Sequence, residues 1–329
     1  MTGMTANRRT ALATLLASSL GLRALPAAIA QDYPNRAIRL IVPFPPGGPT
    51  DVVARIMAQS ASPVLGQPIA VENRPGGAAG TVGSRVVVSA SPDGYTLLVS
   101  IAGSLTMAPA LYKLDYNPLT DLAPIAIVED SPQVLTVNPA LPDTLAKLIA
   151  YAKANPGKLD FGSPGVGTVP HVLGAYLQLL TNVKLTHVPY RGAGPALIDL
   201  LAGQVQVMFN NPSVALANIQ SGRLRALAVS SDRRFAQLPN VPTFKELGYP
   251  QLTATEWLGL FAPAGTPEPI IRKLNAAVNQ AMQTPSAQAA LHKLGVESSA
   301  VTPQAFKAFM AAETQKWVQV VAKAGIKAP

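Results

Sequence analysis

From Ala37 onward, short β-branched runs alternate with longer helical patterns, and glycine and proline punctuate the junctions. This alternation is the strongest constraint on the fold, because parallel strands need helical crossovers that cover the sheet. An α/β class follows. Ile38 to Phe44 reads as a buried strand and Pro45 to Pro49 as a loop. Thr50 reads as the cap of a helix whose apolar positions Val52, Val53, Ile56 and Met57 recur helically. Strands at Ile69 to Glu72 and Thr96 to Ile101 enclose a helix from Val82 to Ala90. The grammar pauses over Ala123 to Val137, an apolar path broken at Glu129 to Pro132, where the chain is expected to cross between domains. It restarts beyond a helix at Leu145 to Ala154, with a strand ending at Ser163, a helix from Val169 to Leu180, strands at Lys184 to Pro189 and Val205 to Asn210, and a return strand at Arg225 to Ser230. The tail carries a strand-like Trp257 to Phe261 and two long helical patterns, Glu268 to Met282 and Pro303 to Lys323. A chain of 329 residues suits two domains of ordinary size. The expected division is a discontinuous first domain of 31–130 plus 228–329 and a second domain of 131–227.

Residues 1–30 stand apart. Arg8 and Arg9 precede an apolar run from Ala11 to Leu22, and Ala28-Ile29-Ala30 puts small residues at alternate positions before Gln31. This is the grammar of a signal peptide. The run is shorter than a membrane span and is interrupted by Arg23 and Pro26. Export to the periplasm is expected, by either the general secretory or the twin-arginine route. No later stretch is long and apolar enough to predict a protein embedded in the membrane. The absence of cysteine excludes disulfides, thiolate metal sites and a cysteine nucleophile. The formal charge is +9, and the leader holds three of the arginines and no acidic residue, so the mature chain stays basic. Its basic residues are dispersed and aromatics make up only 5%, which argues against nucleic acid and for steering of a small anion.

Two loops carry most of the chemistry. In Pro43-Phe44-Pro45-Pro46-Gly47-Gly48-Pro49-Thr50-Asp51, paired glycines between a strand and a helix let a ligand approach backbone N–H groups at the positive end of that helix. A tight turn without a ligand is the plainer reading of the same glycines. The device recurs at Ser163-Pro164-Gly165-Val166-Gly167-Thr168, where Ser163 and Thr168 add hydroxyls. Two anion pockets suit a two-ended ligand. Neither loop completes a dinucleotide or phosphate-loop fingerprint, so no cofactor is expected. The three histidines, His171, His187 and His292, have no metal-ligand spacing, and no Gly-x-Ser-x-Gly elbow occurs. The chain is therefore not expected to be an enzyme. His171 sits where the second loop enters its helix, as a ligand donor or as a packing residue.

Several motifs in order resemble the receptors of tripartite tricarboxylate transporters, the Bug (Bordetella uptake gene) family. They are Ile41 to Gly48 with Asp51, Ala54 and Arg55; Val71-Glu72-Asn73-Arg74-Pro75-Gly76-Gly77; Ser91-Pro92-Asp93-Gly94-Tyr95; and His187-Val188-Pro189-Tyr190-Arg191-Gly192 running on to Asp199-Leu200-Leu201-Ala202-Gly203-Gln204. The resemblance implies a two-domain Venus flytrap with a hinge, as in periplasmic binding proteins, closing on a small carboxylate. Carried over by position, Phe44, Gly47 and Gly48 line the first-domain pocket, Ser163, Gly167, Thr168 and His171 the second, and Tyr190 and Arg191 its wall. Ser104 occupies a further pocket position. Leu105 replaces a common histidine, and Asn210 stands at a frequent aspartate. The neutral Asn210 predicts a mono- or dicarboxylate without an amine. The implied partners are integral membrane transporter subunits, with a monomeric receptor expected. Presentation of the ligand to a sensor kinase, and an exported hydrolase, stay open as alternatives.

Overall fold

The computed structural model describes residues 33–327, and the signal peptide expected at 1–30 lies outside the described residues. Two five-stranded sheets stand side by side. The first contains β1 (Ile38–Val42), β2 (Ile69–Asn73), β3 (Thr96–Ile101), β4 (Leu122–Pro132) and β10 (Thr255–Pro263), in the order β2-β1-β3-β10-β4. The second contains β5 (Val134–Val137), β6 (Asp160–Ser163), β7 (Thr186–Pro189), β8 (Val207–Asn210) and β9 (Arg225–Val229), in the order β7-β6-β8-β5-β9. In each sheet three mutually parallel strands are followed by two more that join through antiparallel pairings, β10 then β4 in the first and β5 then β9 in the second. The two lobes therefore share one plan, a repeat that strand-by-strand reading of the sequence does not expose.

The helices of eight or more residues are α1 (Pro49–Leu65), α2 (Thr81–Val88), α3 (Leu145–Ala154), α4 (Val169–Thr181), α5 (Ala193–Ala202), α6 (Pro212–Gln220), α7 (Glu268–Met282), α8 (Pro285–Lys293) and α9 (Pro303–Lys323). Because β1 is covered on both sides, its IRLIV sequence is almost wholly buried. On one face Leu40 and Val42 pack with Val53 and Met57 of α1 and with Leu274 and Val278 of α7. On the other, Ile41, Trp257 and Phe261 pack with Phe306, Met310 and Trp317 of α9, in a cluster that continues to Phe161 and Phe209 of the second sheet. Each such large side chain contributes roughly 1.5–3 kcal/mol on burial.

The chain passes between the sheets twice, once from β4 to β5 through Gln133, and once from β9 to β10 over residues 230–254. The two crossings are knit together at Ser230. Its N–H donates to Gln133 O at 2.9 Å, its hydroxyl donates to Ala254 O at 2.5 Å and accepts from Gln133 N at 2.8 Å, and Ala254 N donates to Ser230 O at 2.8 Å. The second return comes later than the sequence pattern suggests. β9 stays in the second sheet, and the following segment packs there through Phe235 and Leu238 against Val134 and Val229, with Phe244 stacked 5.6 Å from Phe209. Only at Thr255 does the chain rejoin the first sheet.

Candidate ligand-binding site

The ends of β1 and β3 in one sheet, and of β6 and β8 in the other, open on a shared cleft, the usual place for a ligand in sheets of this kind. Between them lies a cavity of ≈ 400 Å³ whose walls include Phe44, Thr50, Ile101, Ser104, Gly165, Val166, Gly167, Thr168, Met208, Phe209, Asn210 and Leu258. The lobes meet around it: Gly103 lies against the carbonyl of Gly167, and Gly167 against the side chain of Leu111.

Both glycine loops end in helices that no side chain caps. The cap of α1 is Gly48, with Pro49 opening the helix, rather than Thr50 as the pattern suggests; the cap of α4 is Thr168. First-turn N–H groups have no intrahelical partner, so Thr50 and Val169 bring open helix ends to the cavity wall. In each loop a glycine amide is used internally. Gly47 N donates to Asp51 Oδ2 at 2.9 Å, and Gly167 N donates to His171 Nδ1 at 3.1 Å. In both loops the acceptor is the side chain four residues on. Asp51 also accepts from Arg55 Nε on Oδ2 and from Asn73 Nδ2 on Oδ1, each at 2.9 Å. Burial opposes the charge of Asp51, but these hydrogen bonds outweigh it and hold the carboxyl below its ordinary range.

Behind the second loop, His171 and His187 stack at 3.9 Å between ring centres and 9° between planes, with Phe161 4.7 Å beyond His187. Ser163 Oγ lies 2.7 Å from His187 Nε2. Burial pushes His171 down to about 3, helped by His187, and His187 down to about 4. Both rings are therefore neutral, and the acceptor role of His171 Nδ1 puts its proton on Nε2.

Of the residues singled out from the sequence, Phe44, Ser104, Gly167, Thr168 and Asn210 come together on the cavity wall. Ser104 is carried by one turn of π-helix, Gly103–Met107, a form common at functional sites. Gly47 opens instead on a smaller adjoining groove. Gly48 serves as a helix cap, and Ser163 and His171 support the second loop from behind. Tyr190 turns away to donate to Asp199 Oδ2 at 2.6 Å, and Arg191 is exposed. None of these last five is among the lining residues of the cavity.

The sequence reading passes over several polar residues that line it, among them Glu129, Gln133, Asn211 and Glu256. The trace of Glu129 and Glu256 in the sequence is charge inside strand-like apolar runs. Asn211 accepts from Ser213 N to cap α6 and donates from Nδ2 to Glu129 Oε1 at 3.2 Å. Burial pushes Glu129 up to about 7 against the opposing pull of Asn211, and pushes Glu256 up to about 8, with the charge of Glu129 adding to it.

A paired-lobe fold closing on a cleft with two helix ends defines a solute receptor, and comparison with known proteins agrees. Residues 53–326 match the tripartite tricarboxylate transporter family receptor (TctC), and the chain belongs to that family. It is 42% identical to Protein BugT of Bordetella pertussis (strain Tohama I) over 304 residues, covering 91% of this chain and 92% of BugT. Among solved structures it is similar to MatC from Rhodopseudomonas palustris with bound malate, at 36% identity and a TM-score of 0.76, covering 88% of this chain and all of the other. It is also similar to R. palustris Rpa4515 with adipate, at 32% identity and a TM-score of 0.80, covering 90% and 99%. These relatives are binding receptors and not enzymes.

Proposed function

We propose that this protein is a periplasmic receptor that captures a small organic acid and delivers it to the membrane subunits of a tripartite tricarboxylate-type transporter. The observation that carries the reading is the convergence of two uncapped helix N-termini, one from each lobe, on a single cavity. Such ends favour anionic groups, and the helix dipole adds roughly 0.3–1 kcal/mol where exposed. Hydroxyls from Ser104 and Thr168 stand beside them. Malate and adipate in two related structures support a carboxylate as ligand class. The hinge is assigned to Gln133, Ser230 and Ala254, with the first lobe comprising the residues before Gln133 and after Ala254, and the second lobe those between.

The test is a thermal-shift and calorimetric screen of mono- and dicarboxylates against the mature chain, with recovery of the bound compound. A ligand at about 100 times its Kd stabilises by roughly 2.7 kcal/mol. A saturable shift with the acid recovered chemically unchanged is expected. Conversion of the compound, or no binding by any organic acid, sinks the proposal.

A further inference from the structure

The hinge end of the cavity is built differently from its helix ends. Glu129 and Glu256 both line it, from antiparallel strands in which Glu256 pairs with Ser131, two residues from Glu129 on the same face. No lysine, arginine or histidine is among the described lining residues. Two carboxyl groups in one cavity without a cation are an expense for a site that holds only an anion.

Around them two buried amides present acceptors, in the same cavity as the Ser104 hydroxyl. Asn210 is 1% exposed, and its orientation is fixed: Thr136 donates its hydroxyl to Met208 O at 3.0 Å, so Thr136 Oγ1 must accept from Asn210 Nδ2, at 2.6 Å. Asn210 Oδ1 is thereby left buried with no partner. Gln133, also 1% exposed, leaves Oε1 buried and unpaired, as does Glu256 with its own Oε1. Buried acceptors without donors are rare in native proteins and mark a missing group that supplies them. The sequence reading of Asn210 takes its neutrality as the loss of a partner for an amine; the folded chain brings two other carboxyls to the same cavity.

We propose that this end of the cleft is a subsite for a protonated amine, so that the captured solute is a zwitterionic amino acid with its carboxylate at the helix ends and its ammonium held by Glu129, Glu256 and Asn210. The proposal rests on the receptor reading above. An ammonium supplies three N–H donors and one positive charge, which meets the surplus of acceptors and the unbalanced carboxyls together. A plain diacid supplies neither.

The test uses the mature chain and matched compounds in calorimetry: glutamate against glutarate, aspartate against succinate, and putrescine as an amine without a carboxylate. The amino member of at least one pair is expected to bind more than about tenfold tighter than its plain counterpart. Glu256→Gln is expected to cut that preference by about tenfold while the melting temperature of the unliganded protein stays or rises, since an unpaired carboxyl is removed. Should that variant fail to fold, Glu129→Gln, which can still accept from Asn211, is expected to act alike. Glutarate and succinate both binding as tightly as their amino partners overturns the subsite and leaves the receptor reading standing. Putrescine binding while neither amino acid binds overturns the zwitterionic solute and, with it, the organic-acid reading. Equal weakening of both members of a pair by Glu256→Gln, or no binding by any of the compounds, also overturns the subsite.

Discussion

Asn211 and Glu129 join the two lobes across the cleft: the amide that caps α6 from its oxygen also donates from its nitrogen to the carboxyl of Glu129 at 3.2 Å. The two roles can be separated. Asn211→Ser keeps a capping oxygen but is too short to reach Glu129. It is expected to leave global stability within about 0.5 kcal/mol, because serine caps as well as asparagine. The lost contact across the cleft, worth about 1 kcal/mol, shifts the unliganded protein toward an open form. Small-angle scattering checks this, and a radius of gyration identical to the wild type refutes it. Asn211→Ala removes the cap as well and is expected to lose about 1 kcal/mol more of stability in urea.

Asp51 organises the first loop by accepting from Gly47, Arg55 and Asn73. Replacing it with alanine leaves three donors without their acceptor, and a loss of about 2–4 kcal/mol is expected. The pH dependence has a definite sign. A carboxyl held below its unfolded value contributes fully above that value, about 3.9, and loses its contribution as pH falls through the folded value. Melting temperatures measured from pH 5 to pH 3 should therefore fall more steeply for the wild type than for Asp51→Asn. Parallel curves would show that Asp51 carries no such linkage.

The His171–His187 stack gives a second pH window. Both imidazoles are held neutral below their ordinary range, at about 3 and about 4. Their contribution is complete above the unfolded value near 6.5 and declines as pH falls from there toward the folded values. The slope is at most about 1.4 kcal/mol per pH unit for His171, and smaller for the half-buried His187, which solvent screens. Ring-proton NMR is the direct check: neither resonance should titrate above pH 5. A midpoint near 6.5 for either ring would contradict the packing described.

Gly167 has φ +81°, and a Cβ there would sit 2.6 Å from Leu111 Cδ1 in the other lobe. Gly167→Ala thus combines backbone strain of about 1–2 kcal/mol with a wedge between the lobes. Ligand affinity should drop more than about tenfold. Adding Leu111→Ala removes the wedge but not the strain, so affinity should return in large part while stability does not. Failure of the double variant to regain any affinity would place the effect wholly in the loop.

How far these features can be read from the chain depends on how local they are. Strands such as Thr96–Ile101 and helices such as Glu268–Met282 are legible because apolar periodicity and turn residues lie next to one another in sequence. The two glycine loops are legible for the same reason. Where their amides point is not, since the choice between a ligand and the side chain four residues on depends on rotamers that only packing fixes. α8 escapes notice because Ala287 and Leu291 are too few to stand out as an apolar stripe. Glu129 and Glu256 meet only through the pairing of β4 with β10, far apart in sequence, and charge within an apolar run gives no sign of its partner.

The placement of β10 between β3 and β4 has a consequence for how the protein is made. The first lobe cannot complete its sheet until residues beyond 254 have been synthesised, although its other four strands are finished by residue 132. β5 to β9 lie within one uninterrupted stretch and can assemble earlier. Long-range pairing is slow because loop closure must precede its reward. The sheet of the first lobe is therefore expected to close last, after the second lobe has had its full complement of strands.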